Sequence, residues 1–149
     1  MTEQKSFVLA RVLPATQEQV FECWSDPASM GEWMKPGAGI AGATVEMDFR
    51  VGGTYRIVMH GEQDFVQHGE FLEIDEPNRI VMTWVSEFVA PEDANTRVTV
   101  VLEPAGDGQT RLTLTHHQLP ANDTYKNHED GWAAIADALG SHLEGRSGG

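Results

Sequence analysis

Residues 122–143, NDTYKNHEDGWAAIADALGSHL, decide how this chain folds. Within them Tyr125, His128, Trp132, Ile135, Leu139 and His142 recur at alternating spacings of three and four, which puts them on one helix face. At 1.5 Å per residue such a helix spans roughly 30 Å. Upstream, from residue 43, the pattern changes to strand-like alternation. A long terminal helix has to bury its stripe, and a curved sheet made from those segments is the surface available. About seven strands spaced at about 4.8 Å give a sheet of comparable width, so one helix is gripped along its concave face. The class is α+β. Two residues in the stripe, His128 and Gly131, suit dry packing poorly. They predict that helix and sheet leave a cavity for a small molecule.

Working outward, residues 5–13 read as a first strand, ended by Pro14. Thr16 with Gln19 forms a capping box for a short helix whose buried face is Val20, Phe21 and Trp24. Asp26-Pro27 starts a second short helix, with Met30, Trp33 and Met34 on its apolar side and Lys35-Pro36-Gly37 as its stop. The connector GAGIAGA has no following helix and no lysine-serine/threonine ending, which excludes a phosphate loop. Strands are predicted at 43–49, 53–60, 65–75, 79–87, 95–103 and 110–118. Gly52-Gly53, Glu76-Pro77-Asn78 and Gly106-Asp107-Gly108 supply turns between them. Connections this short imply a largely antiparallel sheet. The acidic stretch Ala90-Pro91-Glu92-Asp93 is expected to form a mobile rim. Residues 1–144 are expected to be one domain, and 145–149 a disordered tail.

Composition narrows the function. Ten basic against 23 acidic side chains give a formal charge of −13 over 149 residues, which disfavours nucleic acid and anionic membranes. No apolar run approaches the roughly 20 residues of a membrane span, and no signal peptide is expected at the N-terminus. The single cysteine, Cys23, excludes an internal disulfide, fits a reducing cytoplasm, and reads as a small buried thiol. His116 and His117 are adjacent on a strand and point to opposite faces. No H-E-x-x-H or paired C-x-x-C occurs, so neither a metal nor another cofactor is expected. There is no G-x-S-x-G elbow, and no serine with an evident histidine partner.

The apolar pattern also predicts which polar groups face inward. Pairing Leu72 with Met82 and Ile74 with Ile80 continues one face through Trp84 on one strand and back through Glu70 to His68 on the other. Tyr55, Ile57 and Met59 alternate on the matching side. So do Val98, Val100, Leu102, Leu112 and Leu114, with His116 at the end. The expected ligand-binding set is therefore Tyr55, Met59, His68, Glu70, Met82, Trp84, Val98, Val100, His116, His128, Gly131 and Trp132. Two alternatives stay open: Glu70 hydrated at an edge, and His128 bonded only to a backbone carbonyl. Glu70 with His68 or His128 is the one acid–base constellation. Trp84 and Trp132 are expected at the cavity, Trp24 and Trp33 in the core.

Several segments together resemble a known family. They are Arg11 with Pro14-Ala15, Val20-Phe21, Trp24 to Pro27 and Trp33; Asp48 to Tyr55; Gly69 to Ile74 with Pro77, Arg79-Ile80 and Thr83-Trp84; and His128 to Trp132 with Leu139. In order and almost end to end, they resemble the activator of heat-shock-protein ATPase homologue group, within the START-like (SRPBCC) superfamily. The resemblance implies a helix-grip fold with a ligand cavity between the long helix and the sheet. It implies less about function, because one fold hosts many activities. A binder or carrier of a small hydrophobic molecule is the first expectation, more readily non-enzymatic than catalytic. An enzyme of cyclase/aromatase or hydrolase type, using Glu70 and a histidine as acid and base, comes second. A chaperone ATPase activator comes last, and a chaperone partner is not expected: the family's eukaryotic activators carry an additional N-terminal domain with a Trp-His-Trp motif that this sequence does not show. Whether the protein pairs as a homodimer stays open.

Overall fold

In a computed structural model the described residues are 4–35, 39–87, 95–120 and 123–147. The chain runs β1 (Gln4–Leu13), α1 (Gln17–Ser25), α2 (Pro27–Trp33), β2 (Gly42–Met47), β3 (Thr54–His60), β4 (Phe65–Asp75), β5 (Arg79–Ser86), β6 (Asn95–Gly106), β7 (Gln109–Pro120) and α3 (Asp123–Ser147). Both short helices start as their sequences dictate. Thr16 Oγ1 accepts from the Gln19 amide while Gln19 Oε1 accepts from that of Thr16; Asp26 Oδ1 takes the Ala28 amide, with Pro27 at the first turn. The acidic stretch 90–93 lies outside the described residues.

All seven strands form one antiparallel sheet in the order β1-β7-β6-β5-β4-β3-β2. Hairpins account for the run from β2 to β7, and β1 adds itself to the β7 edge. Because β1 and β2 end up at opposite edges, α1 and α2 have to carry the chain across the concave face. α2 packs on β2, α1 on β6 and β7, and α3 on β1, β7 and α2. The helices thus pack chiefly toward the edges of the sheet. Large side chains cover much of β3, β4 and β5.

The stripe of α3 faces inward as its spacing predicts, with Trp132, Ile135, Ala136, Leu139 and Leu143 buried. The helix also runs further than expected. Gly145, Arg146 and Ser147, assigned from sequence to a disordered tail, belong to it. Its 25 residues give a length of about 37 Å.

Two irregularities reverse the inward parity of a strand. In β4 the pairing Phe71↔Met82 is followed by Glu73↔Val81, so Leu72 is an extra residue in a β-bulge. Upstream of it the odd-numbered residues face the core. Phe71 is 2% exposed and Leu72 42%. The expected pairing of Leu72 with Met82 is therefore one residue out, while that of Ile74 with Ile80 holds. In β7, a shift between Lys5 and Phe7 of its partner strand coincides with Gln118 in the left-handed region at φ 66°. That turns Leu119 back into the core after Leu112, Leu114 and His116.

Candidate functional site

The four tryptophans come from α1, α2, β5 and α3, and they converge. Ring centroids are 4.8 Å apart for Trp24 and Trp33, 6.2 Å for Trp24 and Trp132, and 4.7 Å for Trp84 and Trp132. Beside this cluster is an interior cavity of about 10 Å³, lined by Trp24, Met30, Met47, Tyr55, Ile57, Phe71, Ile80, Met82 and Trp84. That volume is about what one water molecule needs. The Tyr55 phenol donates to the Thr83 carbonyl across Gly69, where a Cβ would stand 2.1 Å from that same oxygen; only glycine allows the approach. Burial raises the Tyr55 pKa well above its ordinary value, so the phenol keeps its proton. Trp24 and Trp33 each hold a buried indole N–H with no acceptor.

Next to the cavity the interior turns polar. His116 is fully buried at the end of the β7 inner face. Its Nδ1 accepts from Trp132 Nε1 at 2.9 Å, so its proton must sit on Nε2, 2.7 Å from Thr96 Oγ1. Thr96 passes its own hydroxyl proton to the Trp84 carbonyl at 2.7 Å. Both nitrogens are thus committed, and the imidazole is neutral. Desolvation, then the nearby His128 and His117, hold its pKa well below the ordinary value. The His128 ring stands edge-on to His116 with centroids 5.0 Å apart, and its Nε2 lies 3.3 Å from Ser86 Oγ. Ser86 in turn donates to Gln67 Oε1 at 2.6 Å. Gln67 Nε2 is buried and has no partner.

Of the expected site residues, Tyr55, Met82 and Trp84 line the cavity, whereas Trp132, expected there, packs against Trp84 and Trp24 and is not part of its lining. Tyr55, Met59, Met82, Trp84, Val98, Val100, His116 and Trp132 are all buried among the sheet and helices, and His128 and Gly131 are half-buried on α3. Two are not gathered. Glu70 is exposed, and His68, half exposed, points to Glu87 at 3.7 Å. Both were placed inside by running the alternation of β5 straight across the bulge at Leu72. The acid–base constellation of Glu70 with a histidine is therefore not formed. Gln67 and Ser86 hold the inward positions instead. Trp24, expected in the core away from the cavity, lines it. The adjacent Phe71-Leu72 pair is the sequence signal of the parity change, since either residue can continue an apolar face.

Two serines also have histidine partners that sequence spacing does not reveal. Ser86 meets His128, and Ser29 Oγ lies 3.2 Å from His142 Nε2. Glu32 Oε2 is 3.6 Å from the other nitrogen of His142. This serine–histidine–glutamate order borders a surface groove of about 290 Å³ with Asp26 and Ala28. An acyl-transfer site needs hydrogen-bond donors aimed at the developing oxyanion. Here the groove carries two carboxylates, and the Ala28 amide is already bonded to Asp26. The trio acts as a clamp between α2 and α3. Among the described residues no three of His, Cys, Asp and Glu are placed to hold a metal ion, and no helix is long and apolar enough to cross a membrane.

Comparison with solved structures agrees with this architecture. A protein from Rhizobium loti is 28% identical, with a TM-score of 0.80 over 96% of this chain and 99% of that one. A protein from Chromobacterium violaceum is 25% identical, with a TM-score of 0.79 over 93% and 96%. An HSP90 activator from Plasmodium falciparum is 26% identical, with a TM-score of 0.70 over 85% and 86%. No curated protein matches the sequence. The family described as Activator of Hsp90 ATPase homolog 1-like protein matches residues 14–144, which take in α1 to β7 and all but the last three residues of α3, and the START-like helix-grip architecture is that of its relatives. On that match over nearly its whole length, this chain belongs to the family of Activator of Hsp90 ATPase homolog 1-like proteins.

Proposed function

We propose that the protein binds a small, mainly apolar molecule between its helices and strands β3–β5. The observation that carries this reading is an apolar cavity lined by Trp24, a residue whose buried indole N–H has no acceptor. Buried donors in folded proteins nearly always have partners, and those that lack one call for an explanation. A small molecule taken up there supplies it. The present cavity is too small for such a molecule, but three of its walls are Met30, Met47 and Met82. Methionine has three rotatable bonds and a polarizable sulfur, so these walls can repack around different shapes. The acid–base reading has lost its carboxylate, because Glu70 faces solvent.

The test uses 1,1-diphenylethylene, an apolar probe with no hydrogen-bonding atom. It should raise the melting temperature with a saturable dependence on concentration. It should also change tryptophan fluorescence, and Trp24→Phe and Trp84→Phe should each remove part of that response. A melting temperature indifferent to the probe rejects the reading. The likeness to an HSP90 activator favours a second one, activation of a chaperone ATPase. Stimulated ATP hydrolysis by an added chaperone of the HSP90 type, insensitive to the apolar probe, would support it.

A further inference from the structure

We propose that the molecule taken up in this gap carries an uncharged hydrogen-bond acceptor, a ketone- or ester-type carbonyl, and that Gln67 receives it; this rests on the binding reading above. Gln67 sits on the inner face of β4 with 1% of its surface exposed. Its cross-strand neighbours are Ile57, which lines the cavity, and Ser86, two residues beyond the cavity-lining Trp84. Its amide oxygen faces Ser86. Ser86 has one hydroxyl proton and gives it to Gln67 Oε1 at 2.6 Å. The contact from His128 Nε2, at 3.3 Å, must then run toward Ser86, with the imidazole as donor. His128 and Ser86 thereby hold the oxygen end of the amide. The nitrogen end keeps two N–H donors that meet no acceptor.

This arrangement is costly for a residue serving only as packing, where methionine or leucine would fill the same space without unpaired donors. It suits recognition: a buried amide held at its oxygen end, with its donors unpaired, on the strand next to the cavity-lining Ile57. The charge of the incoming group follows from the surroundings. Arg11 is half-buried, Arg50, Arg56, Arg79, Arg97 and Arg111 are exposed, and the chain carries a formal charge of −13. A carboxylate would meet only the His128 imidazole, behind Ser86, as a counter-charge, whereas a neutral carbonyl needs only the donors that Gln67 presents.

Benzophenone and 1,1-diphenylethylene differ only in C=O against C=CH₂, so their affinities, measured by calorimetry, isolate the acceptor. A site without a waiting donor favours the hydrocarbon, because the ketone leaves its hydrogen bonds with water behind. The expected result is the reverse, with benzophenone bound roughly tenfold more tightly by the unaltered protein. Gln67→Met conserves volume and should abolish this preference while both probes still bind. Ser86→Ala frees the amide to turn and should reduce the preference, and it serves as the deciding variant if Gln67→Met does not fold. Equal binding of the two probes, or preference for the hydrocarbon, overturns the inference and leaves the apolar reading standing. Failure of both to bind overturns both. A preference that survives Gln67→Met but disappears in Trp24→Phe assigns the acceptor to the indole and also overturns the role of Gln67.

Discussion

His116 shows at the scale of one residue why a buried imidazole need not be a ligand contact. Trp132 supplies the proton its Nδ1 accepts, and Thr96 accepts the one on Nε2, so an added proton would break the bond to Trp132. Its pKa in the fold is lowered, and the unfolded chain keeps the ordinary value near 6.5. The unfolded state therefore binds more protons on acidification. The contribution of His116 to stability is complete above pH 6.5 and declines below it, until the lowered native pKa is reached. The slope is at most about 1.4 kcal/mol per pH unit. Denaturant unfolding between pH 8 and pH 5 should show a shallower acid decline in His116→Gln than in the unaltered protein, and identical slopes would refute this account. Glycines can be sorted in the same way. At Gly140, inside α3, an added Cβ would lie 3.8 Å from Leu13 Cδ2, an ordinary contact, so Gly140→Ala should stabilise by about 0.5–1 kcal/mol. At Gly69 the Cβ would run into the Thr83 carbonyl, so Gly69→Ala should destabilise and loosen Tyr55. Thermal melts showing the same sign for both variants would contradict the geometry.

Strand β4 is the element where sequence and structure part. The bulge makes two adjacent apolar residues very unequal: Phe71 packs on Phe49 and Tyr55, whereas Leu72 faces outward. Phe71→Ala should cost about 3–5 kcal/mol, and Leu72→Ala less than about 1 kcal/mol. Comparable losses measured by urea unfolding would restore the straight register. Elsewhere local pattern was sufficient. Alternation identified the inward faces of β3 and β5, of β6 as far as Leu102 and of β7 as far as His116, because the pairing is regular over those stretches. The spacing from Tyr125 to His142 identified the buried face of α3 for the same reason. The bulge is marked only by the adjacent apolar pair Phe71-Leu72, either of which continues an apolar face, so alternation alone does not carry the parity of His68 and Glu70 across it. Contacts between distant elements were also hidden. Ser29 with His142, Ser86 with His128, and the tryptophan cluster join residues whose neighbourhood is created only by topology. Gln67 was overlooked because polar alternation within a strand ordinarily means a solvent-facing side chain.

Considered as a whole, the molecule combines a well-filled interior with a strongly acidic chain. The sheet buries one continuous core, from Phe7 on β1 to Met59 on β3, under three helices. Its described ion pairs between acidic and fully cationic side chains contribute little to holding it together. Arg11–Asp137, Arg50–Asp48, Arg79–Glu73 and Lys126–Asp130 all lie at the surface, where such pairs are typically worth little. The larger electrostatic effect is self-repulsion among 23 acidic side chains opposed by only ten basic ones. Folding brings these charges closer together, and salt screens them over a Debye length that falls from about 30 Å at 0.01 M to about 8 Å at 0.15 M. Sodium chloride should therefore raise the melting temperature at pH 7.5, most steeply below about 0.15 M, where that length shrinks through the dimensions of the domain. If the surface pairs dominated instead, the same salt would weaken them and lower the melting temperature. The sign of that initial slope decides between repulsion and pairing.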